Sequence, residues 1–385
     1  MKVVVVASLA RSLLNFRGPL LASLRSAGHE VVACASGADA ATVDSLEALG
    51  VMYHELRLER RGSDPLGDIR YWLALRRLFR AERPDLILAY TMKPVVYAGL
   101  ASGRNRPPAR YSLITGLGYG FGGGSARQTW TRAVLRPLLR AALRRSDGVI
   151  FQNEDDHRLF VDLGLVGGAR TLVVRGSGVD LARFPAVPAA TGPPRFLLLA
   201  RMIRAKGVAL FMEAARAIRD VHQEARFVMA GGVESGPDAV PLVELQAWHA
   251  AGLVEYLGRL EDVRGELARC TACVLPSYYR EGTPRSLLEA MSTGRALVTT
   301  DTPGCRDTVF DAGPPDGDGV RQGLNGMLIP PRSIAPLVAA LRRLVEVPGL
   351  AAALGRAGRP AAEAHYDVRL VDQRIIEFMG GARAT

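Results

Sequence analysis

The segment Cys273–Met291 reads CVLPSYYREGTPRSLLEAM: an apolar run, a polar loop and then a helical pattern. The run Cys273–Ser277 predicts a buried strand, and Pro284 fits the first position of a helix, where the missing N–H of proline costs nothing. A strand that leads through a short loop into a helix is the repeating unit of parallel α/β sheets. The same alternation recurs along the rest of the chain.

Two series of such pairs lie on either side of a Pro- and Ala-rich stretch, residues 184–194, which is typical of an exposed linker. Right-handed crossovers between the strands predict an α/β fold of two doubly wound, Rossmann-like domains with a central cleft. We place the domains at residues 1–184 and 185–365, and we expect a C-terminal helix, residues 366–385, to pack back on the first domain.

The composition supports two cored domains, since 48% of the 385 residues are hydrophobic and 23% are charged. No uninterrupted apolar run reaches the ~18 residues of a membrane span. The start, Met1–Val6, faintly resembles a signal peptide, but a helix and a second strand follow at once, and we interpret it as a first buried strand. The four cysteines are expected to be small buried residues in a reducing cytoplasm rather than metal ligands.

The formal net charge of +11 is concentrated in the first half of the chain. Residues 1–190 hold 26 Lys and Arg against 16 Asp and Glu, and so carry +10 of it. Phosphate-rich ligands, anionic lipid and nucleic acid would all be attracted to this half. Nucleic acid is disfavoured, because aromatic residues make up only 6% of the chain and do not alternate with basic ones on a predicted sheet.

Two carboxylates flank the helix that is predicted to follow Cys273–Ser277. Glu281 lies in the loop and Glu289 inside the helix, about 7–8 Å further along its axis. Each could hold hydroxyl groups at one end of an extended ligand. Between them, the N–H groups of Gly282 and Thr283 would point outward with the positive end of the helix dipole, which is a natural seat for phosphate.

Two cations, Arg201 and Lys206, follow the first strand of the second series. Arg can bind a diphosphate bidentately, and Lys can bind it as a point charge. An ordinary solvated loop would explain either the Arg–Lys pair or the Glu pair taken alone. Because both pairs follow strands of one predicted domain, they should converge on one sheet edge, and a shared site is favoured.

With these residues in place, the chain resembles the retaining glycosyltransferases of the GT-B fold, family four. The resemblance extends over nearly the whole chain and is most specific in Arg280–Ala290, with Thr300–Arg306 and Asn325–Gly326 further on. Within the family, the chain looks most similar to bacterial enzymes that build capsule, O-antigen and N-linked glycans on polyprenyl diphosphate carriers. The resemblance implies a hexosyl- or hexosaminyltransferase that moves a sugar from a UDP-sugar to a polyprenyl-diphosphate-linked saccharide.

The resemblance also implies roles for residues of the second domain, which would bind the nucleotide-sugar. The catalytic residues would be Arg201 and Lys206, which neutralise the diphosphate and stabilise the departing nucleotide, and Glu281, which contacts hydroxyls of the donor sugar. Glu289 would bind the ribose, and the turn at residues 258–260 would hold the base by its backbone. No metal ion and no other cofactor is implied. The expected donor-binding residues are Arg201, Lys206, Gly258, Arg259, Leu260, Glu281, Gly282, Thr283, Pro284 and Glu289.

The strand ends of the first domain are expected to bind the acceptor. Residues 14–19 are interpreted as a loop after the first strand, with the Asn-Phe-Arg sequence that similar lipid-linked enzymes show. Thr91 and Lys93 end another strand and could bind the acceptor diphosphate. The glycine-rich run 115–124 is interpreted as a mobile acceptor loop, with a flexible connector as the alternative. The expected acceptor-binding residues are Asn15, Arg17, Thr91, Lys93 and Gly116.

A basic stretch, residues 128–145, has Arg at every fourth position from Arg132, with Trp130 and several leucines on a different side. Arg and Trp beside an apolar face fit an anionic membrane surface. In that case Trp130, Arg132, Arg136 and Arg140 contact lipid, residues 68–80 add to the contact, and the enzyme is cytoplasmic and peripheral on the inner face of the cell membrane. The alternative is that the apolar side packs on the domain core and the arginines are merely solvated.

Two other functions are compatible with the same fold. One is transfer to a soluble acceptor, which the basic first half disfavours. The other is a non-catalytic module that binds a nucleotide-sugar or a glycan. It is disfavoured because Arg201, Lys206, Glu281 and Glu289 are all present together.

Overall fold

A computed structural model describes the backbone of residues 1–59, 64–102, 108–116 and 126–380, and the side chains of these residues except 126–134. This part of the chain forms two compact units. One is Met1–Ser177 together with the segment from Val368 onward, and the other is Gly178–Asp367. Each unit is built round a seven-stranded sheet with helices, so the predicted α/β fold is confirmed.

The sheet of the first unit is wholly parallel. Its strands are β1 (Lys2–Val6), β2 (Glu30–Ala35), β3 (Met52–Glu55), β4 (Leu86–Tyr90), β5 (Ala109–Ile114), β6 (Gly148–Phe151) and β7 (Arg170–Val173). Their order across the sheet is β3-β2-β1-β4-β5-β6-β7. The chain thus switches direction beside β1, as in doubly wound sheets, where ligands bind at the carboxyl ends of the strands.

Helices cover both faces of this sheet. They are α1 (Ala10–Ser26), α2 (Ala40–Ala48), α3 (Pro65–Glu82), α4 (Met92–Ala101), α5 (Ala126–Leu143), α6 (Glu154–Asp162) and a C-terminal helix (Val368–Gly380). The C-terminal helix belongs to this unit because Val371, Ile375 and Met379 are buried in its core. The Tyr111 hydroxyl donates to the carbonyl oxygen of Met379 at 2.9 Å, which ties the helix to β5.

Residues 14–19 lie inside α1, so their interpretation as a strand-end loop is wrong. The helix begins at Ala10 and continues through Gly18 and Pro19. The physical reason is packing: Leu13, Leu20 and Leu24 recur at helical spacing and are buried, which outweighs the turn signal of the Gly-Pro pair.

The second unit has the same strand pattern. Its strands are β8 (Arg195–Leu199), β9 (Arg226–Ala230), β10 (Glu255–Tyr256), β11 (Ala272–Leu275), β12 (Ala296–Thr300), β13 (Arg321–Gln322) and β14 (Gly326–Ile329). Their order is β10-β9-β8-β11-β12-β14-β13, and the pairs are parallel except β13 with β14. The helices are α7 (Val208–Arg219), α8 (Leu242–Ala250), α9 (Arg264–Arg269), α10 (Arg285–Ser292), α11 (Ile334–Glu346) and α12 (Leu350–His365).

The two units divide after Ser177, whereas the sequence placed the boundary after residue 184. Phe184 is buried in the core of the second unit, in the same apolar cluster as Leu288 and Met291. Its carbonyl oxygen also accepts the Ser292 hydroxyl at 2.6 Å. The segment that leads into β8 is therefore partly anchored to the second unit before the Pro- and Ala-rich stretch begins.

All four cysteines are buried free thiols, as the sequence predicted, and burial raises the pKa of each one. Across the described ranges, no helix combines the length and the apolar character needed to cross a lipid bilayer.

Candidate active site

The loop after β8 carries both predicted cations of the second unit. It runs from Ala200 to Gly207 and contains a short 3-10 turn, Arg204–Lys206. Gly207 has a φ of 76°, in the left-handed region, and a Cβ atom there would lie 2.2 Å from the carbonyl oxygen of Pro276. Only glycine lets this loop approach the loop after β11 so closely.

Hydrogen bonds join these two loops. The backbone N–H groups of Tyr278 and Tyr279 both donate to the carbonyl oxygen of Ala205, at 2.9 and 3.0 Å. The hydroxyl of Ser277, a fully buried residue, lies 3.3 Å from the same oxygen. Because β8 and β11 are neighbours in a parallel sheet, their carboxyl ends form one continuous edge.

Lys206 and Glu281 form an ion pair at this edge. The Nζ atom of Lys206 contacts Oε1 of Glu281, and each side chain is only 11% exposed. The Ser277 hydroxyl donates to the same carboxylate oxygen at 3.1 Å. Two residues that the sequence assigned to a shared site, 75 positions apart, are thus in direct contact.

Tyr279 lies beside both cations. Its ring centre is 5.8 Å from the guanidinium carbon of Arg201 and 5.6 Å from Nζ of Lys206, within the range of cation–π contacts. Arg201 is the more exposed of the two and has Glu234 at 3.7 Å. Two cations gathered at one ring supply donors that fit a diphosphate, whose oxygens would compete with Glu234 and Glu281 for them.

The loop after β12 packs against the loop before α10. Gly304 has a φ of 76°, and a Cβ atom there would lie 2.1 Å from the carbonyl oxygen of Gly282. Gly282 is buried and Thr283 half-buried. Pro284 has an extended ψ of 117° and precedes the first helical residue, Arg285, so α10 begins one residue later than the sequence predicted.

Glu289 lies inside α10, on a turn that is largely shielded from water. Burial raises the pKa of its carboxyl group, and Arg285, whose Nε atom lies 3.0 Å from Oε1, opposes this shift. Arg183 adds a weaker attraction. A carboxylate with this much burial gains from further hydrogen-bond donors, and ligand hydroxyl groups could supply them.

The turn at residues 258–260, predicted to hold the base, follows the edge strand β10. Gly258 has a φ of 67°, and its carbonyl oxygen accepts the N–H of Gly231 at 2.7 Å. Gly231, after β9, approaches Ala200 so closely that a Cβ atom would lie 1.6 Å from the Ala200 carbonyl oxygen. The ends of three neighbouring strands are therefore drawn together, and this turn shares an edge with the loop of Arg201.

Among the described residues of the first unit, Thr91 is strained at the end of a strand. It connects β4 to α4 with a φ of 68°, which is costly for a β-branched residue. Its hydroxyl oxygen is buried and finds no hydrogen-bond partner among the residues that the structure describes. Strain together with an unsatisfied polar group is more common at functional sites than elsewhere. Gly116, just after β5, also has a positive φ, of 102°.

The other residues predicted to bind the acceptor are held differently. Lys93 donates to Asp68 on α3 at 2.9 Å and to the carbonyl oxygen of Glu59 at 2.8 Å. Arg17 is 1% exposed within α1, with its guanidinium 5.5 Å from the centre of the Tyr90 ring. Asn15 is exposed on the same helix. Arg17 thus lies beside the residue that precedes Thr91, whereas Lys93 is held toward α3.

The predicted membrane helix is only partly covered. Trp130 and Arg132 lie outside the described side chains, as does most of the glycine-rich run 115–124. Arg136 is exposed, whereas Arg140 donates to the carbonyl oxygens of Leu163 and Gly164 at the end of α6.

Although no metal ion is expected, the sequence contains one Asp-x-Asp triplet, Asp316 to Asp318. Both carboxylates are ion-paired with Arg343, and hydrogen bonding from Arg343 lowers the pKa of Asp316 to about 2. Within the described part of the chain, no group of three or more His, Cys, Asp and Glu side chains is placed to hold a metal ion.

Sequence reasoning missed several residues that shape the site. Tyr279 and Ser277 had no predicted role, although both lie in the loop between β11 and Glu281. Gly231 and Gly304 also had none. The signal for Gly231 was present, since glycine directly after a predicted strand often marks a close backbone approach. Gly304 lies four residues beyond the end of β12, where no such signal applies.

Family models match both units of the chain. One described as "Glycosyl transferases group 1" matches residues 193–347, and one described as "Glycosyl transferase 4-like domain" matches residues 18–176. Among solved structures, sucrose-phosphate synthase from Thermosynechococcus elongatus superposes with a TM-score of 0.77 at 16% identity and covers 98% of each chain. Anabaena HepE in complex with UDP and glucose gives a TM-score of 0.74 at 18% identity, covering 99% of this chain and 100% of that one. These likenesses confirm the GT-B fold.

Two curated proteins are similar over most of the chain. The N,N'-diacetylbacillosaminyl-diphospho-undecaprenol alpha-1,3-N-acetylgalactosaminyltransferase of Campylobacter jejuni is 27% identical over 314 residues, which cover 78% of this chain and 81% of that protein. The glycogen synthase of Mycobacterium tuberculosis is 28% identical over 385 residues, which cover 91% of this chain and 86% of that protein.

Proposed function

Since the chain is a glycosyltransferase of the GT-B fold, we propose that it transfers a hexose or N-acetylhexosamine from a UDP-sugar to a polyprenyl-diphosphate-linked saccharide, with retention of the anomeric configuration. The observation that carries this proposal is the pairing of Lys206 with Glu281 beside Arg201, round the ring of Tyr279. This arrangement lies where doubly wound sheets bind ligands.

Arg201 and Lys206 act on the diphosphate of the donor. When the bond between the anomeric carbon and the phosphate oxygen breaks, negative charge grows on the departing UDP. Cations that are already in position stabilise that charge, and losing one such group typically costs about 3–4 kcal/mol of activation free energy. Glu281 orients Lys206 through their ion pair, and its carboxylate accepts hydrogen bonds from hydroxyl groups of the donor sugar.

Retention follows if the acceptor hydroxyl attacks from the face that the phosphate leaves. The hydroxyl oxygen forms the new bond to the anomeric carbon, and its proton passes to the departing phosphate oxygen. No protein base is then required. This agrees with the end of β4, where Thr91 supplies a hydroxyl and Lys93 a paired cation.

The nucleoside is bound along the same edge of the second unit. Glu289 takes the ribose hydroxyls, which compensate for the burial of its carboxylate. The turn at residues 258–260 presents backbone groups to the base. The UDP complexes of HepE, a protein of the same fold, support a uridine nucleotide as donor.

The acceptor is assigned to the first unit, near Thr91 and Gly116. The Campylobacter relative is named for transfer to a diphospho-undecaprenol-linked saccharide, which supports a polyprenyl-diphosphate saccharide as acceptor. An enzyme with this acceptor would work in the cytoplasm, peripheral on the inner face of the cell membrane.

A two-stage assay tests the proposal. Thermal shift with a panel of UDP-sugars, and with ADP- and GDP-sugars as controls, should identify a stabilising UDP-sugar. Turnover with that donor should then occur on extracted polyprenyl-linked saccharide, and NMR should show the same anomeric configuration in donor and product. Equal turnover on a soluble sugar without lipid would contradict the acceptor, and selective stabilisation by ADP-sugars would contradict the donor.

A further inference from the structure

The outer face of α3 carries a stripe of exposed aliphatic side chains. Leu66, Ile69 and Leu73 are 67%, 53% and 38% exposed. They are three and four residues apart, and at about 100° per residue they therefore lie on one side of the helix. A single exposed leucine is ordinary, but an aligned set on one helix indicates an interaction surface.

The opposite face of α3 is already packed in the core of the first unit. Tyr71, Leu75, Leu78 and Phe79 are buried there. The helix is thus held in place by one apolar face, and the aliphatic residues on its outward side are left available for a second contact.

The acidic residues of α3 are ion-paired within the first unit, whereas its exposed charges are basic. Asp68 pairs with Lys93 at 2.9 Å, and Glu82 pairs with Lys2 at 2.9 Å. The exposed charges that remain on α3 are all arginines. They are Arg70, Arg77 and Arg80, which have no ion pair within the part of the chain that the structure describes.

These arginines border the aliphatic stripe. On a helical wheel Arg70 and Arg77 lie to one side of Leu66 and Leu73, and Arg80 lies between Leu73 and Ile69. An anionic bilayer offers phosphates at the level of such guanidinium groups and apolar chains just beneath them. The outer face of α3 presents arginines beside aliphatic side chains, and its carboxylates are paired elsewhere. This face is complementary to lipid phosphates above acyl chains.

Helix α5, the membrane contact that the sequence favoured, is less suitable. Leu139 and Leu143 are fully buried in the core. This part of the helix therefore fits the alternative in which the apolar side packs on the domain and the arginines face solvent. Arg140 is occupied by carbonyl oxygens at the end of α6. Among its described side chains, the exposed ones include Arg136 and Leu138 but no stripe like that of α3.

We infer that the outer face of α3 docks the protein on an anionic lipid bilayer. Arg70, Arg77 and Arg80 bind lipid phosphates, and Leu66, Ile69 and Leu73 enter the boundary between headgroups and acyl chains. The inference deepens the proposed function, because a polyprenyl-linked acceptor is held in a membrane. Lipid binding is measured without turnover. A negative result for lipid docking therefore does not contradict the proposed transferase activity, and a negative result for activity does not contradict docking.

Vesicle flotation of the full chain tests this inference. We expect recovery with vesicles of phosphatidylcholine and phosphatidylglycerol in equal parts, little recovery with phosphatidylcholine alone, and loss of binding at high salt. The double variant Arg77→Gln, Arg80→Gln should weaken partitioning roughly fivefold for each arginine. Ile69→Gln and Leu73→Gln should each weaken it roughly tenfold.

Two matched controls locate the contact. Val243→Gln removes an aliphatic that is 71% exposed on α8 of the second unit, and Arg136→Gln removes a cation from α5; neither should change binding. Circular dichroism confirms that each variant is folded. Equal recovery on neutral and anionic vesicles, or a larger loss with Arg136→Gln than with the double arginine variant, would overturn the inference. The inference would also be overturned if the protein bound no lipid but self-associated, and Leu73→Gln made it monomeric.

Discussion

The carboxyl ends of the two sheets hold their polar residues in different ways. In the second unit, the ends of β8 and β11 are joined through the carbonyl of Ala205, and Lys206 contacts Glu281. In the first unit, Lys93 is paired with Asp68 on α3, and Arg17 is buried in α1. A charge near a strand end thus becomes part of a site only when the turns around it converge. Such convergence depends on close backbone contacts that a charge pattern does not reveal.

The sharpest test of this difference compares the two lysines. Lys206→Ala should lower kcat by about 10²–10³-fold, because it removes a cation that stabilises the departing UDP. Lys93→Ala should cost less than about tenfold, because Lys93 lies in the first unit and the departing UDP is assigned to the second. Initial rates of UDP release at saturating donor measure both. Similar losses for the two variants would remove the contrast.

Gly207 and Gly258 both have a left-handed φ, but only Gly207 lies against another backbone. Comparing the two Gly→Ala variants therefore separates the cost of the backbone conformation from the cost of the close contact. Gly207→Ala should reduce the free energy of unfolding by about 3 kcal/mol or more, because its Cβ would meet the carbonyl oxygen of Pro276 as well as adopt a left-handed φ. Gly258→Ala has open space around it and should cost only about 1 kcal/mol. Urea denaturation of both variants is the measurement. Equal costs would show that the loops after β8 and β11 are not held together.

Ser277 should act by positioning Glu281 against Lys206. We expect Ser277→Ala to lower kcat about tenfold, in line with one hydrogen bond of about 1–1.5 kcal/mol, while KM for the donor changes little. Ser12→Ala is the counterpart in the first unit, where the hydroxyl lies 2.8 Å from that of Tyr90. A purely structural role for Ser277 would show as equal losses of stability in the two variants with kcat unchanged.

The buried carboxylate of Glu289 should lower the stability of the fold near neutral pH while it strengthens the binding of UDP. A carboxyl whose pKa is raised by folding stabilises the fold below the ordinary value of 4.5 and loses that contribution as the pH rises. Glu289→Gln should therefore gain stability relative to the native protein between pH 4.5 and 7, while UDP binds about tenfold more weakly. Thermal melts across this range and calorimetry with UDP check both parts. Unchanged UDP affinity would exclude contact with the ribose.

The smallest expected effect concerns metal. Because the donor diphosphate is assigned to Arg201 and Lys206, turnover should be the same before and after dialysis against a chelator. Loss of activity that Mg²⁺ or Mn²⁺ restores would contradict this. Asp316→Asn would then be the first variant to examine, since Asp316 and Asp318 form an Asp-x-Asp triplet.

The sequence predicted what depends on periodicity and on residue type. Alternating strands and helices predicted two α/β units, and the strand-end positions of Lys206 and Glu281 predicted that the two residues share a sheet edge. It failed where tertiary packing decides. Apolar residues at helical spacing carried α1 through Gly18 and Pro19, and Asp68 drew Lys93 toward α3. The spacing of Leu13, Leu20 and Leu24 is visible in the sequence, but its weight against the Gly-Pro pair depends on how α1 packs. The Asp68–Lys93 pair joins residues 25 positions apart.

A crystal structure of the UDP complex would show directly where the donor diphosphate binds. We expect the pyrophosphate to lie at the ends of β8 and β11, with its oxygens within hydrogen-bonding distance of Arg201 and of Lys206. A pyrophosphate bound elsewhere on the second unit, with the Lys206–Glu281 pair untouched, would contradict it.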